Sequence, residues 1–184
     1  ARSRGVDLGL LHAASSHGLF FRPNAMLDMV RPGLVLYGAY PAGAKGMQRA
    51  DLRPALSLRC RVVRVERLEP GDGVNYGRNY VATRPTWTAT LPIGHADGYP
   101  RNAVDVCEVL IGNRLFRVVG SVSASHTVVE VGSEKVVEIG DVATLVGPDD
   151  PAVHPNTIAE RAGISVYDVL MHLSARLPKR IVGS

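Results

Sequence analysis

From Leu56 onward the chain alternates with a period of two. Leu56, Leu58, Cys60 and Val62 fall on one face, and Ser57, Arg59 and Arg61 on the other. Successive side chains of a strand point to opposite sides, so this pattern describes a β-strand with one dry and one wet face. The doubled Val62-Val63 shifts the phase, as a β-bulge does. Further strand-like runs occupy residues 86–93, 104–111, 115–122, 126–131 and 140–147. Gly112-Asn113 suits a two-residue hairpin turn between two of them. Short strands with regular turn signals predict a mainly β fold, a small barrel or sandwich.

Helical signals return at the end of the chain. Asn156 is placed to cap a short helix that ends at Gly163, and Ser165 with Asp168 forms a capping-box variant that opens a second. Val166, Val169, Leu170, Leu173 and Leu177 are spaced for one face of that second helix. The first forty residues follow a different pattern. Leu8–Ser16 runs from apolar to small and polar, a helical stretch follows, and Pro32–Gly38 is an apolar run between turn residues. This is strand, crossover, strand, a parallel βαβ unit. One such unit cannot bury both faces of its sheet, so residues 1–40 need more barrel than they contain. Residues 41–54, rich in Gly, Pro and Ala, read as a linker.

Composition narrows the function classes. With 46% hydrophobic and 21% charged residues in 184, the chain can build real cores. Its net charge of +4 is uneven: residues 1–92 hold thirteen Lys/Arg against six Asp/Glu. The arginines at 59, 61, 64 and 67 are spaced along an apparent strand as a solvated sheet face, so no nucleic-acid partner is expected. Cys60 and Cys107 form no metal-ligand spacing; they read as reduced thiols of an intracellular, cytoplasmic protein, and no metal is expected. No apolar run approaches the length of a membrane span, so no membrane partner is expected either. Ala1–Gly5 carries neither Met nor an apolar core, so it is not a signal peptide and reads as the middle of a longer chain.

Two segments carry chemistry: Val74-Asn75-Tyr76-Gly77-Arg78-Asn79-Tyr80, and Leu91-Pro92-Ile93-Gly94-His95-Ala96-Asp97-Gly98-Tyr99-Pro100-Arg101. Together they resemble the signature of the C-terminal half of alanine racemases, enzymes that use pyridoxal 5'-phosphate (PLP). Arg31–Gly38 resembles the last barrel strand of that family, His12–Ser16 the strand before it, and Val166–Leu170 with Arg176-Leu177-Pro178 its closing helix. Each match is short, but their order is the family's. The resemblance implies that residues 1–40 are the end of a PLP-binding (β/α)8 barrel, that 41–54 link it onward, and that 55–184 form the C-terminal β-domain with its short helices.

It also implies roles. Tyr76 would be a catalytic base, which requires stabilisation of a phenolate whose usual pKa is about 10; Arg78, two residues on in a regular strand, would point the same way. Ser16, the backbone of Gly33 and Leu34, and Tyr167 would hold the cofactor phosphate, the missing Cβ of Gly33 letting main-chain N–H groups approach an anion. Arg31, supported by His12, would face the pyridine nitrogen; an arginine cannot give up its proton, so the ring would stay a weaker electron sink. In the family a lysine and this tyrosine work on opposite faces of an amino-acid substrate, with the tyrosine supplied by the partner of a homodimer. The chain contains only Lys45, Lys135 and Lys179, none in the setting of the cofactor lysine. It is therefore expected to be half an enzyme and inactive alone.

Two departures concern the substrate. His95 stands where the family usually has Tyr at the inner gate, and Ser123-Ala124-Ser125-His126 where it usually reads Cys-Met-Asp-Gln. Ala124 opens volume beside the substrate, Ser125 removes a carboxylate, and His95 can gain charge near neutral pH. Arg101 would line the entry. The implied activity is interconversion of L- and D-forms of alanine or of a larger or polar amino acid. The alternative is a non-catalytic PLP- or amino-acid-binding sensor on the same fold.

Overall fold

The computed structural model describes residues 4–44, 46–47 and 50–182. Ala1–Ser3 of the expected barrel remnant, Lys45, Gln48 and Arg49 of the expected linker, and Gly183–Ser184 lie outside the described residues. The chain forms two compact units, Ala1–Ala55 and Leu56–Ser184.

In the first unit, strand β1 (His12–Ser15), helix α1 (Ser16–Phe21) and strand β2 (Met29–Arg31) follow in order. β1 and β2 pair in parallel, His12 opposite Met29 and Ser15 opposite Arg31. The βαβ unit is present, but its second strand stops before the Pro32–Gly38 run in which it was expected. Leu34–Tyr37 is instead a 3-10 turn. Pro32 has no N–H to give a ladder, and the N–H groups of Gly33 and Val35 donate to Ser16 Oγ at 2.9 and 3.3 Å rather than to a strand. Gly38 ends the turn at φ +75°, where a side chain would also strike the Arg53 carbonyl. Ala14, Phe20 and Leu34 are buried, whereas Leu10, Leu36 and Tyr37 remain exposed, as a two-stranded sheet dictates. Past the turn the chain folds back within this unit: Tyr40 Oη accepts the Leu52 N–H at 2.9 Å and donates to the Ala50 carbonyl at 3.2 Å.

The second unit is mainly β. Strands β3 (Leu58–Arg61), β4 (Arg64–Leu68), β7 (Thr86–Leu91), β8 (Glu108–Ile111), β9 (Arg114–Val119), β10 (Thr127–Gly132) and β11 (Val142–Val146) form one antiparallel sheet in the order β3-β11-β8-β9-β10-β7-β4. Its two outer members are consecutive in sequence, separated by Val62-Val63. There the chain changes neighbours: Val62 exchanges bonds with Asp141 and Gly140, while the Val63 N–H donates to Thr90. The expected bulge is the corner at which the sheet curls round to meet itself. Leu58 and Val62 face inward with Val109, Val118, Val129 and Leu145, all buried, and Arg59 and Arg61 face out. The turn Gly112-Asn113 joins β8 to β9, with Ile111 opposite Arg114. A small hairpin of β5 (Gly73–Val74) and β6 (Tyr80–Val81) stands apart from this sheet.

Two short helices, α2 (Pro155–Ala162) and α3 (Val166–Met171), close the unit. Gly163 ends α2 at φ +67° as expected, but its cap is His154, not Asn156. Pro155 takes the first helical position, which moves the cap back two residues and leaves the Asn156 N–H to donate to His154 Nδ1 at 3.1 Å. The Ser165/Asp168 capping box is formed. α3 ends before Leu173 and Leu177, because the chain is drawn off its axis where the Ser174 N–H donates to the Asp97 carbonyl at 3.0 Å.

Burial sets an alkaline limit on this unit. It pushes the Cys60 thiol up to about 12 and the Cys107 thiol up to about 11, and it raises the Tyr99 phenol as well. Each group holds its proton more tightly folded than unfolded. The stabilisation is thus fully present below the unfolded thiol pKa near 9.0 and is lost as pH rises through the folded values. The urea midpoint should be level from neutrality to about pH 8 and fall continuously above about pH 9; a midpoint unchanged to about pH 11 would contradict this.

Candidate functional site

Five residues, Asn75–Asn79, connect β5 to β6, with Gly73 opposite Val81 and Val74 opposite Tyr80. They form a turn, not the regular strand expected there: Asn75 and Arg78 take φ values of +66° and +48°. Arg78 consequently curls back, lying against Gly73 and donating to the Gly71 carbonyl at 2.6 Å. Tyr76 sits at the tip and is 106% exposed. Asn75 Oδ1 accepts the Ser121 N–H at 3.0 Å. Tyr76, Asn75, Ser123 and His126 share a cavity of ≈ 520 Å³ whose floor includes Thr88, Thr90 and Val128.

The second motif makes a turn at its centre. The His95 and Ala96 N–H groups donate to the carbonyls of Ser123 and Ala124 at 2.9 and 3.0 Å. The Asp97 carboxylate accepts the Gly94 N–H at 2.9 Å and closes the turn on itself. Gly94 is required by proximity: a Cβ would collide with the Ser123 and Ala124 backbone. His95 Nε2 and Arg101 Nη2 are 2.7 Å apart. A guanidinium only donates, so Nε2 is the acceptor and the imidazole proton is on Nδ1. In the facing turn, Ser123 Oγ bonds both the N–H and the carbonyl of His126 at 3.0 Å, and Ser125 Oγ lies 2.8 Å from His126 Nδ1. The structure thus brings His95, Arg101 and Ala124 together, and Tyr76 reaches the same turn through the shared cavity.

The first unit holds the other candidates except Tyr167. Ser16 is 2% exposed, and its Oγ collects the N–H groups of Gly33 and Val35, the latter in place of Leu34. Gly33 has an ordinary negative φ of −126°, and a Cβ on it would meet nothing within 4 Å. Packing does not require glycine there. With its oxygen engaged by those two N–H groups, the Ser16 hydroxyl keeps its own O–H to donate, and the open space at Gly33 leaves room for an anion such as a phosphate. Arg31 Nη2 donates to the Ala13 carbonyl at 3.1 Å; among the described residues no bond joins it to His12. Tyr167, in the second unit, is 49% exposed at the start of α3.

Sequence reasoning passed over Val35 as a donor, His126 as a cavity wall and Asn75 as an anchor. His126 stood within the Ser123–His126 replacement, and Asn75 left a trace as an Asn in a Gly-containing turn, where positive φ is tolerated. The outward arginines are engaged: Arg59 with Asp149, Arg64 with Glu66, Arg67 with Glu69, and Arg61 with the Gly140 carbonyl. Lys135 is held by Glu138 at 2.6 Å and lies over the Trp87 ring. Among the described residues no helix is long and apolar enough to cross a membrane, and no group of three or more His, Cys, Asp or Glu could hold a metal ion.

The family model for the alanine racemase C-terminal domain matches residues 55–181, and that for the alanine racemase N-terminal domain matches residues 1–41. An alanine racemase of Carboxydothermus hydrogenoformans is 34% identical over 179 residues, covering 97% of this chain and 49% of that protein. One of Frankia casuarinae is 36% identical over 184 residues, covering 99% and 48%. The crystal structure of alanine racemase from a D-cycloserine-producing Streptomyces lavendulae superposes with a TM-score of 0.90 at 32% identity, covering all of this chain and 48% of that one. The chain spans about half the length of the curated relatives it matches.

The contact at Gly94 makes a direct prediction. Gly94→Ala forces apart two turns that share backbone hydrogen bonds, and overpacking of this kind costs about 1–3 kcal/mol. Urea denaturation should register that loss, and hydrogen exchange should show faster exchange at the His95 and Ala96 amides; wild-type stability and protection would contradict the contact.

Proposed function

This chain belongs to the alanine racemase family, and we propose that it supplies the C-terminal half of a PLP-dependent amino-acid racemase. The observation that carries this reading is Tyr76, a large aromatic placed wholly in water at the tip of an anchored hairpin. Leaving such a side chain exposed forfeits the gain from burial. That is understandable if the phenol completes a site on another surface. In our reading that surface belongs to the partner in a homodimer, so that two sites are shared.

The chemistry PLP supplies when bound is to make the α-proton of an amino acid removable. The chain's own groups divide the remaining tasks. Ser16 Oγ, engaged by the Gly33 and Val35 N–H groups, would donate its own O–H to the phosphate, and the backbone around Gly33 and Leu34 would cradle it. Arg31, steadied by the Ala13 carbonyl, would face the ring nitrogen as a permanent cation. Tyr76 would take the α-proton from one face of the substrate and return it there. One base on one face preserves configuration, so inversion needs a second base opposite. None of Lys45, Lys135 and Lys179 stands in the family's setting for the cofactor lysine, and Lys135 is engaged with Glu138 and Trp87, which supports a second base from outside this chain and inactivity of the chain alone. Since Arg78 is committed to Gly71, the cation that steadies the phenolate would come from the apposed surface too. His95, Arg101 and Ala124, with His126 beside them, would line the substrate entry, suiting alanine or a larger or polar amino acid.

The replacements at 95 and 123–126 favour a second reading, a PLP- or amino-acid-binding sensor without turnover. One experiment separates the two: racemisation of L-alanine, L-serine, L-lysine and L-arginine by the full-length protein with PLP, as wild type and as Tyr76→Phe. Turnover of one of these should fall by about 10²–10⁴-fold in the variant, the usual contribution of a positioned base, with PLP absorbance unchanged. Undiminished turnover in Tyr76→Phe would contradict the base, and bound PLP with no racemisation of any substrate would favour the sensor.

A further inference from the structure

We propose that Asn75 is a positioning residue, whose side-chain carbonyl sets where the hairpin tip holds Tyr76 relative to the turn at 123–126. The inference rests on the reading of Tyr76 as the base, and it assigns a task to the residue beside it.

The hairpin has little of its own to hold it. β5 and β6 are two residues each and pair only with one another. The bond from Arg78 to Gly71 is internal to the hairpin and its base, so it stiffens the loop without orienting it. Among the described residues, one hydrogen bond ties the tip Asn75–Asn79 to the sheet: the Ser121 N–H donating to Asn75 Oδ1 at 3.0 Å. Ser121 lies two residues past the end of β9 and two before Ser123, which opens the turn bonded to His95. Tyr80 of β6, beside Glu130, holds the base of the hairpin, and the Asn75 bond registers its tip, with the phenol, against the gate.

Three features make asparagine specific to this task. Its φ of +66° lies in the left-handed region, which Asn tolerates and most residues do not. Its own carbonyl accepts the Arg78 N–H at 3.1 Å, closing the tip. Beneath it, Gly120 at φ +76° presents bare backbone, where a Cβ would collide with Asn75 Oδ1 and crowd Val74. Gly120 thus clears room for the amide, and the amide fills it. Glycine at 75 would keep the backbone and lose the acceptor; aspartate would keep both.

The test compares Asn75→Gly, Asn75→Asp and Tyr76→Phe in the full-length protein with PLP. It reads kcat and KM for racemisation of the best substrate, the thermal midpoint, and exchange of the Ser121 amide. Asn75→Gly should lower kcat by about 10- to 100-fold with KM within about twofold, as expected when a reacting group is misplaced by about 1 Å. Its Ser121 amide should lose protection while the thermal midpoint stays put, and Asn75→Asp should restore most of the rate. Wild-type turnover in Asn75→Gly beside a dead Tyr76→Phe would overturn the positioning role and leave the base standing. A slow Asn75→Gly that Asn75→Asp does not rescue would also overturn it, since the acceptor would then not be the cause. Normal turnover in Tyr76→Phe would overturn both readings.

Discussion

The continuous segment Leu58–Leu68 serves as both outer strands of the β-sheet, and the remainder of the second unit is built on that double use. At Val62 the backbone bonds to Gly140 and Asp141; at Val63 it bonds to Thr90. The corner makes one continuous segment of the sheet's two end strands, β3 paired with β11 and β4 paired with β7. It also encloses a core of small β-branched and aliphatic side chains, Val109, Val118, Val129 and Leu145 among them. A domain closed in this way is rigid where its strands pair, and only its turns are free to take on other work.

The candidate residues are distributed accordingly. Tyr76 is at a hairpin tip, His95 in a 3-10 turn, and Ala124 with His126 in the turn opposite. Functional side chains on loops held by a stiff scaffold are the usual solution. Here the loops are tied to one another as well, through the carbonyls of Ser123 and Ala124 and the amide of Ser121. Such an arrangement suits a domain that contributes groups to a site instead of enclosing one. In the first unit, the Gly33 and Val35 N–H groups converge on Ser16 Oγ beside open space, at a 3-10 turn whose Leu36 and Tyr37 remain exposed.

Much of the fold was legible because its causes are local. Alternation at Leu58, Cys60 and Val62 gives the strand, Gly112-Asn113 gives a hairpin, Gly163 gives a helix end, and Ser165 with Asp168 gives a helix start. The errors have distant causes. Leu34–Tyr37 is as apolar as a strand, but its neighbouring N–H groups are claimed by Ser16, seventeen and nineteen residues earlier. α3 stops where Asp97 intercepts Ser174, and nothing between Met171 and Leu177 announces it. In the site the motifs single out Tyr76, His95 and Arg101 by type and order. They convey nothing of Asn75 as an anchor, because its partner Ser121 is 46 residues away. Nor do they convey that Arg78 turns aside, since a positive φ at an arginine has no signature in sequence.

The central claim is that Tyr76 serves one face of the substrate α-carbon while another base serves the opposite face. The direct measurement follows α-proton exchange in D2O separately from inversion, starting from each enantiomer of the preferred substrate, with full-length Tyr76→Phe protein. The account predicts that one enantiomer still exchanges its α-proton with retention of configuration, while the other does not and inversion is lost. Inversion at the wild-type rate, or equal loss of exchange from both enantiomers, would contradict it.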